Sequence, residues 1–399
     1  MVAFSKLFHP PHNSLPCSEL LLHQGQTCKQ LIWWNWYRCS VGSLRYFLPL
    51  AISPLVLRPK SLNTQALLNI LRHYLETSLW GAAATAFTFN GICLLRNLLG
   101  RYYLYTATCL PAYTAFQLSW FFPVRTVRLF STATTQSALE TWLRKQNNII
   151  SRSLPLQTII FMLSSAVILH FKRREEYNGF WFIQPIKNVS AQKNEENYED
   201  LKKSSNCCTH EGKTCAEYVL TGMKGYLLYG IPLDLMSIVT KGRLPRTWKE
   251  LKMIRFQMTA FFLSYIGIYR LSNCVLAHYP FDVTYQHLLS AGLGGISYFF
   301  LDKLTFSALA FVIAVQAAWQ SYCQKPTKKP EDRLSSFLKS IPFAKLMIQV
   351  NIAYLAHCYI FQHDTMSSLA KGFFRGMTDD RFERIYQFLL NSLAEHEKS

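Results

Sequence analysis

Leu288-Leu289-Ser290-Ala291-Gly292-Leu293-Gly294-Gly295-Ile296-Ser297-Tyr298-Phe299-Phe300, followed after Asp302-Lys303 by the apolar run Leu304 to Trp319, is the stretch whose reading decides the fold. As a helix it sets Ser290 beside Gly294 and Ala291 beside Gly295, four residues apart, so that one face is small enough for another membrane helix to approach closely. These four residues are therefore expected to pack helices. The Gly292-x-Gly294 pair does not make a phosphate-binding turn, because no strand precedes it, the third glycine position is Ser297, and both flanks are hydrophobic.

Working outward, half of the 399 residues are hydrophobic and 16% are charged, against about 25% charged in soluble domains. That balance points to a membrane. The net charge of +19 raises the question of nucleic acid, but the Lys and Arg residues are dispersed at the ends of apolar runs. Cations so placed anchor helices at lipid headgroups, each worth about 1 kcal/mol near anionic lipid. Membrane lipids are the expected partner, and no nucleic acid. Residues 44 to 171 carry eleven Lys/Arg with only Glu76 and Glu140 as acids, whereas residues 172 to 255 carry fifteen basic and ten acidic residues. The latter read as a solvated loop between two membrane halves.

The pre-membrane segment, residues 1 to 43, has no secretory signal pattern, and Glu397-Lys398-Ser399 matches neither the peroxisomal nor the retention address; targeting is expected from internal segments. The Asn188-Val189-Ser190 sequon reads as chance. Cys17, Cys28 and Cys39 recur every eleven residues near His9, His12 and His23, but without tight C-x2-C spacing they read as unlinked thiols rather than a metal site. The run Leu31 to Tyr37, with Trp33, Trp34 and Trp36, suits an interfacial aromatic belt.

Leu44 to Leu57, broken by Pro49 and Pro54, reads as re-entrant or interfacial. Leu79 to Leu99, Tyr102 to Phe122 and Leu154 to Phe171 approach the roughly 20 apolar residues a span requires, with Thr126 to Leu143 as a shorter buried element. Tyr226 to Thr240 is apolar but interrupted by Pro232 and Asp234. A second half runs from Phe256 to Leu276, through the opening stretch, to Leu346 to Phe361. In the tail, Thr378-Asp379-Asp380 precedes Phe382, Ile385, Tyr386, Leu389, Leu390 and Leu393, an amphipathic helix expected to lie on a membrane or partner. The expected architecture is all-α: a polytopic transmembrane bundle with a cysteine-containing segment (1–43), a first membrane half (44–171), a polar loop (172–255), a second half (256–361) and a C-terminal amphipathic helix (362–399).

The halves share a faint pattern. Ala86-Phe87, Gly91-Ile92 and Arg96 resemble Ala260-Phe261, Gly267-Ile268 and Arg270, with an offset of 174 at the arginines; Pro111 to Phe116 falls opposite Ala291 to Ile296, and Gln136-Ser137-Ala138 opposite Gln316-Ala317-Ala318, at 180. Duplication of this kind recurs in membrane transporters. Arg96 and Arg270 are charges inside apolar runs, each costing about 2.5 to 3.5 kcal/mol near a bilayer centre, and their positions near segment ends suit anchoring.

For chemistry, Cys207-Cys208-x-His210-x4-Cys215 offers four soft or borderline ligands for zinc. His278-Tyr279-Pro280-Phe281-Asp282 falls one residue short of the His-x4-Asp of acyl transfer and reads as a polar turn. No H-E-x-x-H, G-x-S-x-G or Gly-Lys-Ser/Thr loop occurs. No catalytic residue and no organic cofactor are expected.

The cysteine cluster is also where the chain resembles the transmembrane protein 135 family. The resemblance extends to Ser43-Leu44-Arg45 with Pro49-Leu50, to Cys93-x-Leu95-Arg96-x-x-Leu99-Gly100-Arg101-Tyr102-Tyr103, and to Ala291 to Ser297, covering most of residues 40 to 320 in order. It implies a multi-pass protein of mitochondrial or peroxisomal membranes whose rear part is similar to the mitochondrial inner-membrane translocase superfamily. It further implies roles in mitochondrial fission, fat storage and export of fatty acids or cholesterol. The partners it implies are fission machinery or organelle membrane proteins, with a homo-oligomer left open. The interior loop is shorter than in that family and the tail diverges beyond about residue 325. A non-enzymatic scaffold is the function expected, with a transporter of lipids or small metabolites as the alternative.

Overall fold

The computed structural model describes residues 13–21, 23, 27–57, 63–186, 210, 214–240, 256–301, 303–324 and 333–396. All regular structure among them is helical: α1 (Cys17–Leu20), α2 (Cys28–Leu57), α3 (Thr64–Leu99), α4 (Cys109–Ala115), α5 (Val124–Lys145), α6 (Ile149–Arg152), α7 (Leu154–Arg173), α8 (Cys215–Thr240), α9 (Gln257–Leu276), α10 (Val283–Gly294), α11 (Leu304–Gln324), α12 (Arg333–Ser340), α13 (Phe343–Phe361), α14 (Ser368–Met377) and α15 (Arg381–His396). Turns of 3-10 helix at Phe116–Phe121 and Gly295–Phe300 prolong α4 and α10, and a third follows α13 at His363–Thr365. Among the described residues, three helices, α3, α7 and α11, are long and apolar enough to cross a membrane.

Local signals explain the boundaries. Asn63 caps α3 by accepting from the Ala66 N–H at 2.7 Å, and Gly100, at φ 73°, ends it with an N–H to the Arg96 carbonyl, a left-handed turn that a side chain resists. Ser153 caps α7 with Pro155 in the first turn, where the missing N–H costs nothing. Asp282 caps α10, which places the His278 to Asp282 motif in a turn.

The chain forms two compact units. Unit 1 comprises residues 1–148 and 340–399, and unit 2 comprises residues 149–339. This division corrects the expected boundaries at 171, 255 and 361. In unit 1, α2 and α3 form an antiparallel hairpin, α4 packs on α3, and α13 packs on α4 and α5. In unit 2, α8 and α9 form the hairpin, α10 packs on α9, and α7 packs on α10 and α11. Both units thus hold a long hairpin, a short helix running into a 3-10 turn, a fourth helix and a fifth. The fifth helix of unit 1, α13, follows unit 2 in sequence, and the fifth helix of unit 2, α7, precedes the rest of its unit apart from the short α6.

Three further expectations are corrected. The Pro49 and Pro54 segment is continuous helix within α2, and α8 runs through Pro232. An internal proline removes one backbone hydrogen bond and bends a helix without having to end it. Residues 215–240, expected within the polar loop, are instead that arm, and Asp234 is buried because its carboxylate accepts from the Met258 N–H (3.0 Å), the Thr259 N–H (2.8 Å) and the Thr259 hydroxyl (2.7 Å) at the start of α9. A helix N-terminus is a natural seat for a negative charge. Finally, the apolar face of α15 is covered by its own unit: Phe382, Ile385, Tyr386 and Leu389 are buried, with the Phe382 ring packed at tilted and edge-on angles among Phe89, Tyr359 and Phe374. That face is spent on the core of unit 1 and is not free for a membrane or partner.

Candidate metal centre

Cys17, His23, Cys28 and Cys93 converge in unit 1, with one ligand atom from each lying within 4.8 Å of all the others. The Cys17 Sγ is 3.4 Å from that of Cys28 and 3.7 Å from that of Cys93. Four separate pieces of chain supply them: α1, the segment after it, the first residue of α2, and the penultimate turn of α3. Cys17, His23 and Cys93 are buried and Cys28 is half-buried. Burial raises the Cys17 thiol above its ordinary range, helped by the Cys28 sulfur. Burial pushes Cys28 the same way, but the sulfurs of Cys17 and Cys93 and the Asn97 amide bring its net shift downward. Three thiols and one imidazole at these separations can hold a metal ion.

A capping box fixes the start of α2. The Thr27 hydroxyl accepts from the Gln30 N–H at 3.3 Å, while the Thr27 N–H donates to the Gln30 side chain at 2.9 Å. Cys28 is thereby set in the first helical turn, where the helix dipole favours a thiolate. Arg96, one turn beyond Cys93, donates to the carbonyls of Leu15 (2.9 Å) and Ser14 (3.0 Å) and lies over Tyr102. It ties the strand of chain carrying Cys17 to the end of α3.

Unit 2 repeats the arrangement. His210, Cys215 and Cys274 lie within the same mutual distance; Cys215 is the first residue of α8 and Cys274 lies in the last turn of α9. Thr214 and Glu217 form the second capping box, at 3.2 and 3.4 Å. Arg270, one turn before Cys274, donates to the Tyr218 carbonyl at 2.7 Å and sits over its ring. Cys207 and Cys208 lie outside the described residues.

Sequence reading singled out His210 and Cys215 and passed over the first set, because Cys93 is hidden in an apolar run and Cys39, which shares the eleven-residue interval, lies buried elsewhere. A signal was present: His23-x-Gly25-x-Thr27-Cys28-x-Gln30 matches His210-x-Gly212-x-Thr214-Cys215-x-Glu217, with Gln and Glu exchanged at the last position. The offset there is 187, and it returns at Ser153-x-Pro155 and Ser340-x-Pro342, ahead of the two fifth helices.

The small-residue stretch is placed at the junction of α10 and its 3-10 turn, where Ser290, Ala291, Gly294 and Gly295 are buried. A Cβ on Gly295 would sit 2.7 Å from the Met162 Cα of α7, and one on Gly294 3.0 Å from the Tyr265 ring of α9. The Ser165 hydroxyl donates to the Ala291 carbonyl at 2.6 Å, and that of Ser290 to the Gln286 carbonyl within its own helix. No family model matches the chain, and no solved structure matches it.

Proposed function

We propose that the protein is a polytopic helical protein of the mitochondrial or peroxisomal membrane that organises lipid handling and mitochondrial fission as a non-enzymatic scaffold. The observation that carries the membrane part is the outward face of the three apolar helices. Leu79, Phe87, Leu94 and Leu98 on α3, Ile159 and Leu163 on α7, and Phe311 and Val315 on α11 are exposed, Leu98 at 76% and Leu163 at 65%. Apolar stripes of this kind are costly in water and at home in lipid tails. The organelle and the lipid and fission roles rest on the resemblance to the transmembrane protein 135 family.

The repeated order of elements in the two units favours a second reading, transport of lipids or small metabolites, since duplicated units are common in transporters. Reconstitution into liposomes with fatty-acyl or sterol cargo separates the two. The scaffold gives no cargo movement above protein-free vesicles; movement abolished by Arg96→Gln or Arg270→Gln would overturn it. Release from isolated organelles by alkaline carbonate would overturn the membrane assignment itself.

A further inference from the structure

We propose that Cys17, His23, Cys28 and Cys93 bind a soft-to-borderline divalent ion of the zinc class, and that His210, Cys215 and Cys274 form its counterpart, so that the chain carries one structural metal per repeat. The unit 1 site is complete on its own side chains. Zinc at about 2.3 Å from each sulfur of a tetrahedral set places the sulfurs about 3.8 Å apart, and Cys17 lies 3.4 and 3.7 Å from its two sulfur neighbours. A three-thiolate, one-imidazole set selects zinc over the hard cations, which prefer oxygen.

The second observation is independent of that geometry. The same His-x-Gly-x-Thr-Cys motif, with the same capping box one residue before the cysteine, opens the hairpin of each unit, and a cysteine near the end of the second arm closes each set. A chance thiol cluster has no reason to be built twice on the same scaffold positions. In unit 2, both ring nitrogens of His210 are enclosed without a hydrogen-bond partner among the described residues. A buried imidazole held that way is left with unmet hydrogen-bonding capacity, and ligation of an ion satisfies one of the two nitrogens.

The ion's work would be mechanical. It joins the segment ahead of each hairpin to the far end of the hairpin's second arm, at the place where Arg96 fastens the same pieces by hydrogen bonds and Arg270 fastens the second arm to the first turn of α8. The site is closed by protein ligands in unit 1, which is the mark of a structural rather than a catalytic zinc.

Full-length protein purified in detergent under reducing conditions should contain two zinc equivalents per chain by elemental analysis. Cys93→Ser and Cys274→Ser should each lose one equivalent, and Cys39→Ser and Cys323→Ser none. Because a ligand variant can fail to fold, the wild type is also exchanged into cobalt(II), where tetrahedral d–d bands and thiolate charge-transfer bands should appear at two equivalents. Less than a tenth of an equivalent of metal with no cobalt spectrum would overturn the proposal. So would an intact mass two units low under non-reducing conditions that maps to a Cys17–Cys28 disulfide. Loss of metal in Cys274→Ser alone would overturn the unit 1 site, and in Cys93→Ser alone its counterpart.

Discussion

Units 1 and 2 present the same elements in the same order of packing, yet they hold their fifth helix by different chemistry. In unit 1 the grip on α13 is through amides: Gln117 donates to Gln349 at 3.0 Å, Gln349 to the Ser119 hydroxyl at 3.3 Å, and Asn351 to the Thr135 hydroxyl at 2.8 Å. In unit 2 the grip on α7 is through hydroxyls and rings: Ser165 meets the Tyr265 hydroxyl at 2.5 Å, Trp181 donates to that hydroxyl at 2.8 Å, and Tyr298 donates to Gln157 at 2.7 Å. Around these, Phe161 stacks on Tyr298 and Trp181. Apolar helices are nearly interchangeable within lipid, so hydropathy cannot decide which fifth helix completes which unit. Buried polar pairs can, since a mismatched helix leaves donors and acceptors unpaired. The lesson is that architecture is written in the apolar pattern and pairing in a few polar residues.

The comparison can be broken most forcefully by removing residues 340–399. Unit 1 then loses α13 to α15 while unit 2 keeps every element, so hydrogen exchange and proteolysis should accelerate across residues 64–145 and stay unchanged across 257–324. Equal protection in both regions would show that α13 does not complete unit 1. Next in size is Gly295→Leu, whose Cβ meets the backbone of Met162. It should destabilise unit 2 by about 3 kcal/mol or more, lowering its thermal transition, whereas Gly225→Leu, with nothing near its Cβ, should stay within about 0.5 kcal/mol.

Arg381→Met comes third. The buried Arg381 guanidinium donates to the Leu21 carbonyl at 2.6 Å and to Asn35, so its loss strands two acceptors and should cost unit 1 about 2 kcal/mol. Denaturant titration followed by the protection of α15 checks this. The smallest effect concerns pH. His363, half-buried and stacked on Tyr386 at 4.2 Å, has its pKa lowered by burial and then by Lys371. Its folded form therefore resists protonation, and stability present above the usual histidine range near 6.5 falls as pH drops through it. Glu383, whose pKa stays lowered despite its burial because Gln387 and Tyr359 donate to it, adds a second loss below about pH 4.3. His363→Phe should remove the first step and leave the second; a unit 1 transition independent of pH between 7 and 5 in the wild type would sink this assignment.

Much of the fold is legible in the sequence because apolar runs delimit helices directly. The runs Leu154 to Phe171, Phe256 to Leu276 and Leu346 to Phe361 lie within a few residues of α7, α9 and α13. What could not be read is pairing. A run such as Leu346 to Phe361 carries no mark of its neighbour until Gln349 and Asn351 are seen opposite Gln117 and Thr135. The amphipathic face of α15 likewise announces that something covers it, and says nothing of what. Proline misled where it was taken as a break, because one missing backbone hydrogen bond bends a long helix without ending it. At the metal centre, Cys28 and His23 were visible, but Cys93 required the hairpin to be folded first. The repeated His-x-Gly-x-Thr-Cys motif is a purely sequential signal, but its offset of 187 separates it from the arginines and the helices after them, which stand at 174 and 180.

The placement of α13 in unit 1 also sets an order of events on the ribosome. Unit 2 is made of consecutive residues, 149–339, whereas unit 1 must wait for all of them between its fourth helix and its fifth. At roughly 5 to 20 residues per second, the groove between α4 and α5 stands open for about 10 to 40 seconds after those helices emerge. During that interval Gln117 and Thr135 have no native partner, and α7, the apolar helix synthesised next, is the nearest competitor for their groove.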